Sequence, residues 1–233
     1  ALSRHLRRLA ASARVLGLPA PAEHVVRDAV AQVVQATSLA ADDLGRLRIT
    51  YTAGRGPLGS ERSDAASTLV VACVPVRPWP PTTTVLTVPW TRNERSPLAG
   101  VKSTSYAENV VALARAQAAG CSEALFANSR GDVCEGTGSN VFVVGAGRVL
   151  TPPLDSGCLP GITRALVIEW FGAVEADLPM HSLAQADEVL ITSSTRDVHP
   201  VVRLDGRTWP CAGPIGARLR REFATRAADE VDP

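Results

Sequence analysis

Of the 24 basic side chains in this chain, 23 are arginine and a single one, Lys102, is lysine. A sequence so biased has replaced lysine wherever a positive charge or a long aliphatic stem is enough. Arginine cannot lose a proton near neutral pH and attack a carbonyl as a free amine. The one retained lysine is therefore a candidate Schiff-base nucleophile. A surface lysine retained by chance is the competing reading from this residue alone. Further on, Glu135 opens the run Glu135-Gly136-Thr137-Gly138-Ser139-Asn140, and Leu159-Pro160-Gly161-Ile162-Thr163-Arg164 leads into a helix. Free N–H groups at such a helix start, with the helix dipole behind them, favour an anion, and Thr163 adds a hydroxyl. An ordinary helix start has the same local sequence.

These residues need elements to hold them. After Lys102 the pattern predicts an amphipathic helix over 106–119, with Val110, Val111 and Ala114 at helical spacing and Gly120 as stop. A strand over 123–128 follows, then a turn at Ser129-Arg130-Gly131-Asp132 and a hairpin turning at 145–148. Upstream, helices are expected at 4–16 and 22–35 and strands at 47–53, 67–76 and 83–89. Downstream, a short helix at 183–186 precedes a strand over 188–192, which ends in Ser193-Ser194. Asp205-Gly206 signals a hairpin, and a last helix is expected over 214–227.

The ordered run from Lys102 to Arg164 resembles the class IV aminotransferases, pyridoxal-phosphate enzymes of fold type IV. That group includes branched-chain aminotransferase, D-amino acid transaminase and 4-amino-4-deoxychorismate lyase. The resemblance implies pyridoxal 5'-phosphate held covalently by Lys102, with Glu135 as the anion that keeps the pyridine nitrogen protonated. It implies Leu159 as the apolar wall against the ring, where a core leucine is the general default. Gly161, Ile162 and Thr163 would hold the phosphate, with Ser193 and Ser194 completing the cup; an unliganded strand-end turn is the alternative there. Arg8 would reach the same phosphate, since His5 is followed three residues on by an arginine, as in a family helix. The alternative for Arg8 is the solvated face of that helix. Arg55, in the Gly-rich loop 54–59, is the candidate for pairing with a substrate carboxylate, against a solvent-exposed turn arginine. Tyr106 would approach the cofactor's phenolic oxygen or the substrate, against a role in packing.

The expected fold is α+β, a two-domain fold-type IV enzyme of the D-amino acid and branched-chain aminotransferase kind. A small N-terminal domain would span 1–97 and a large cofactor-binding domain 98–233, with the polar segment 90–100 as linker. Relatives carry strands before the first helix, so the N-terminal part is expected to be missing. The expected activity is that of 4-amino-4-deoxychorismate lyase, forming 4-aminobenzoate and pyruvate. The alternatives are a class IV aminotransferase acting on D-amino or branched-chain amino acids, and a non-catalytic pyridoxal-phosphate-binding protein. A homodimer is implied by the same resemblance.

Composition narrows the partners. A net charge of +1 with scattered basic residues argues against nucleic acid. No apolar run is long enough to span a bilayer. Five widely spaced cysteines suit reduced thiols in a cytoplasmic enzyme, and four scattered histidines suit no metal site.

Overall fold

The computed structural model describes residues 1–37, 39–40 and 44–233. The chain divides into two compact units, one of residues 2–78 and one of residues 79–233 together with Ala1.

In the N-terminal unit two helices, α1 (Leu2–Val15) and α2 (Glu23–Ala36), accompany an antiparallel hairpin of β1 (Leu44–Thr52) and β2 (Thr68–Val76). Leu6, Val26 and Val30 are buried, and Leu47, Ile49, Leu69 and Val71 pack against them. On β2 the alternate residues Val70 and Val74 stay exposed, which is the two-residue period of a strand with one covered face. The helix pair and hairpin bury one another's apolar faces around this cluster.

The second unit is built on a nine-stranded mixed sheet. Its strands are β3 (Thr83–Arg92), β4 (Glu123–Asn128), β5 (Val133–Gly136), β6 (Asn140–Gly145), β7 (Arg148–Thr151), β8 (Val174–Glu175), β9 (Glu188–Ser193), β10 (Asp197–Leu204) and β11 (Arg207–Thr208). The order is β5-β4-β3-β10-β9-β6-β7-β8, with β11 paired to β10. Three helices pack on it: α3 (Ala107–Ala118), α4 (Ile162–Phe171) and α5 (Pro214–Asp229). Strands β4, β6 and β9 are buried on both faces and so read as near-continuous apolar runs. Val133 donates to the Leu178 carbonyl at 2.7 Å, and Asp132 bridges Pro179. The sheet thereby curls around a cluster that includes Leu125, Val141, Val189 and Ile191.

Two elements differ from the sequence pattern in ways that matter for the site. Strand β3 runs on to Arg92, inside the segment expected to be a linker, because Thr91 and Arg92 pair in parallel with Ala127 and Asn128 of β4. The boundary between units accordingly falls at Pro78/Trp79, not near residue 97. Helix α3 buries Ala112 and Ala116 while Val110 and Val111 are exposed, the reverse of the expected face. Two alanines let the helix backbone approach β3 and β4 closely around Val88, Ala124 and Phe126.

Candidate active site

Lys102 lies in the irregular segment that leads into α3. Its Nζ donates to the Oη of Tyr106, the residue preceding the first turn of that helix, and lies 5.0 Å from the ring centroid. Both side chains are exposed.

Glu135 stands on β5, opposite Phe126 of β4. One carboxylate oxygen accepts the Leu159 N–H at 2.9 Å, and the other lies 3.3 Å from Arg92 Nε. The second approach is an ion pair, because that N–H is not aligned on the oxygen. Burial pushes the Glu135 carboxyl above the usual carboxylate range. The Leu159 N–H, the Arg92 guanidinium and the Lys102 ammonium oppose that rise. The flanking thiols of Cys134 and Cys158 are also buried and pushed up, so neither is an activated nucleophile.

Arg92 was not a site candidate from sequence, and it joins several parts of this region. Its guanidinium lies 4.1 Å above the Phe126 ring and bonds Glu108 Oε2 at 2.9 Å and Asn109 Oδ1. Asn109 in turn donates to the Thr137 carbonyl at 2.6 Å. The Gly136–Ser139 loop is held from below by Glu123, which is buried on β4. Glu123 accepts from the Thr137 N–H at 3.0 Å, the Thr137 hydroxyl, and Ser139 Oγ at 3.0 Å. At Gly136 a Cβ would stand 2.3 Å from Ser139 Oγ, so the loop closes this tightly only with glycine there.

The segment 159–163 is held from its backbone. The Leu159 carbonyl accepts from Asn140 Nδ2 and from the Gly161 N–H, each at 2.8 Å, while the Leu159 N–H serves Glu135. Gly161 precedes α4 and no side chain caps that helix start. The leading N–H groups of Ile162 and Thr163 have no acceptor within the helix itself. Asn140 pairs in register with Thr192 of β9, which sets the following Ser193 and Ser194 at this end of the sheet. The Thr192 hydroxyl is buried, with no hydrogen-bond partner among the described residues. Ser193 Oγ lies 3.4 Å from Thr195 Oγ1.

The structure thus assembles Glu135, Leu159 and the α4 start, with Lys102 near enough for its charge to act on Glu135. Arg8 and Arg55 belong to the N-terminal unit. There Arg8 Nη2 lies 3.4 Å from His5 Nδ1, and the Arg55 carbonyl accepts from Ser63. Among the described residues no group of three or more His, Cys, Asp or Glu is placed to hold a metal, and no helix is long and apolar enough to cross a membrane.

The amino-transferase class IV family model matches residues 1–204. A protein of Methanocaldococcus jannaschii, provisionally named a branched-chain-amino-acid aminotransferase, is 33% identical over 95% of this chain and 80% of its own. A structure from Legionella pneumophila, provisionally named 4-amino-4-deoxychorismate lyase, superposes with a TM-score of 0.89. It is 27% identical and covers 96% of this chain and 84% of that one. An aminotransferase from Brucella abortus, bound to pyridoxal phosphate, gives a TM-score of 0.84 at 27% identity, over 97% and 84% of the two chains. These matches run through the N-terminal unit and correct the expectation that its N-terminal part is missing. What they support is an α+β fold-type IV domain matched over nearly the whole of this chain.

Proposed function

Because the chain belongs to the amino-transferase class IV family, as a pyridoxal-phosphate-dependent enzyme of fold type IV, we propose that it is an aminotransferase for amino acids with apolar, branched side chains. The observation that carries this is the Methanocaldococcus relative, whose name describes that activity and which matches nearly the whole chain. The reading replaces the lyase expected from the sequence. Formation of 4-aminobenzoate stays as a second reading, favoured by the fit to the Legionella structure.

The donor set fits pyridoxal phosphate. One amine, a buried carboxylate, an uncapped ten-residue helix and an orphaned buried hydroxyl are the groups that an aldehyde, a pyridine nitrogen and a phosphate require. When bound, the cofactor supplies an aldehyde carbon that condenses with amines and a ring that withdraws the electron pair left by a departing proton. Lys102 would hold the cofactor through its amine and would move a proton at the substrate α-carbon. Tyr106 Oη, which accepts from Lys102 Nζ, orients that amine. Glu135 would keep a proton on the pyridine nitrogen, and Leu159 would present its side chain to the ring face. Phosphate oxygens would be received by the N–H groups of Ile162 and Thr163 and the Thr163 hydroxyl, where Gly161 leaves the helix start open, and by Ser193 and Ser194. A second subunit completes the pocket. Sedimentation as an active monomer would defeat that part of the reading.

The deciding experiment supplies L-leucine, L-valine, a D-amino acid or 4-amino-4-deoxychorismate separately to the cofactor-loaded protein. Keto-acid formation from L-leucine or L-valine with 2-oxoglutarate as acceptor is expected. Pyruvate release from aminodeoxychorismate without transamination of any amino acid would overturn the reading in favour of the lyase.

A further inference from the structure

We propose that Arg92 is a positioning residue that sets the span between the Lys102 segment and Glu135. The proposal rests on the reading of those two residues as opposite ends of a cofactor site. Arg92 reaches two elements at once. On one side it bonds Glu108 and Asn109, in the first turn of α3 and only a few residues after Lys102. On the other it lies 3.3 Å from Glu135 of β5, on the far side of β4. Its stem and plane are fixed over the Phe126 ring, so the fork cannot swing to solvent without giving up that face. Asn109 closes the circuit by donating to the Thr137 carbonyl, two residues beyond Glu135.

Two consequences separate this arrangement from ordinary packing. The first is electrostatic. The charged and titratable groups that act on Glu135 are Arg92 from β3, Lys102 from the segment before α3, Cys134 beside it and Cys158 from the loop before α4. Burial opposes ionisation of Glu135, and only the two cations and the Leu159 N–H counter it. Of the two cations, Lys102 is the one that the chemistry consumes, which leaves Arg92 as the permanent countercharge. The second consequence is geometric. A planar guanidinium can address α3 and β5 together, whereas a lysine ammonium delivers the charge without the fork.

The test uses the full chain as wild type, Arg92→Lys, Arg92→Met and Asn109→Ala. In cofactor-free protein carrying carbon-13 at the glutamate carboxyls, the Glu135 resonance is assigned through Glu135→Gln and titrated. Arg92→Met is expected to raise its midpoint by about one unit, a tenfold change in proton affinity, and Arg92→Lys to leave it within about half a unit. Loaded to equal occupancy with pyridoxal phosphate, Arg92→Lys and Asn109→Ala are expected to lose about half of the visible circular dichroism of a rigidly held cofactor, because the supporting shell is loosened. A role in packing alone would lower Tm without moving either readout. An unchanged Glu135 midpoint in Arg92→Met, or wild-type dichroism per bound cofactor in the other two variants, overturns the proposal. If Arg92→Met does not fold, the other two variants decide by the same dichroism criterion. Wild type that binds no pyridoxal phosphate defeats the functional reading and this one together. Bound cofactor with unaltered variants defeats this one alone.

Discussion

Gly161→Ala examines the join between the sheet and α4. A Cβ at this position would stand 1.9 Å from Asn140 Oδ1, 3.1 Å from Asn140 Cγ and 3.4 Å from Arg164 Cβ. Backbone strain is not the issue, since φ is −66°. The cost is the collision with a buried amide. Forcing a methyl into a packed site costs about 1–3 kcal/mol. Moving Asn140 aside also breaks its 2.8 Å bond to the Leu159 carbonyl, worth about 1 kcal/mol net. Together Gly161→Ala should cost about 2–4 kcal/mol in urea unfolding of the cofactor-free protein. Asn140→Ala alone should cost less, because the Leu159 carbonyl keeps its bond from the Gly161 N–H. The double variant should then be little worse than Asn140→Ala, giving a coupling close to the whole Gly161→Ala cost, about 2–4 kcal/mol. Pyridoxal-phosphate affinity should fall in Gly161→Ala, as the helix start shifts. A loss of stability under about 0.5 kcal/mol, or strictly additive single costs, would refute the close-approach argument.

Three further outcomes are expected. Glu135→Gln should keep bound cofactor but lose about a hundredfold or more in turnover, because a neutral amide cannot hold the pyridine nitrogen protonated; steady-state kinetics at saturating cofactor checks this, and unchanged turnover would assign the role to another carboxylate. His199 is buried on β10, with Nε2 2.9 Å from the Pro80 carbonyl and Nδ1 3.2 Å from Arg196 Nη1, and burial, then the Arg196 charge, depress its pKa from 6.5 to about 4. The unfolded chain takes up that proton first, so stability should fall by about 2–3 kcal/mol as pH drops from the ordinary histidine value towards 4; His199→Gln should flatten that part of the urea-midpoint profile, and an unaltered slope would show that other groups carry it. Glu123→Ala should loosen the Gly136–Ser139 loop by leaving the Thr137 N–H and Ser139 Oγ without their acceptor, at a cost of about 1–3 kcal/mol; protection of the Thr137 amide from hydrogen exchange equal to wild type would contradict it.

The parts of the candidate site that stand out in the sequence are those in which residue type alone carries chemistry. A single lysine among arginines, a carboxylate ahead of a Gly-Thr-Gly-Ser-Asn run and a Pro-Gly helix start all stand out by composition and order. Arg92 did not, because nothing local separates it from the polar residues around it. Its partner Glu135 is brought to it only by the parallel pairing of β3 with β4 and the antiparallel pairing of β4 with β5. Backbone donors have no sequence signature either, so Leu159 suggested only an apolar wall while its N–H is what meets Glu135. Helix α3 was placed within a residue at each end, yet its buried face was misread. Periodicity favours the bulkier valines, and the close fit to the sheet favours Ala112 and Ala116. The N-terminal unit was misjudged as well: relatives match it nearly throughout, which a pattern of helices and strands does not reveal.

The central claim is that Lys102 carries the cofactor. Borohydride reduction of the protein loaded with pyridoxal phosphate, followed by peptide mapping, tests it directly. The substitution Lys102→Arg preserves charge and nearly the length, but a guanidinium does not condense with the aldehyde. Since Lys102 is the sole lysine, the α-amino terminus is the one other primary amine, and the map distinguishes the two. The account predicts a reduced phosphopyridoxyl group on the Lys102 peptide of wild type, and a folded Lys102→Arg protein that is unlabelled there and inactive. Lys102→Arg with full turnover, or wild type labelled only at its terminus, would contradict it.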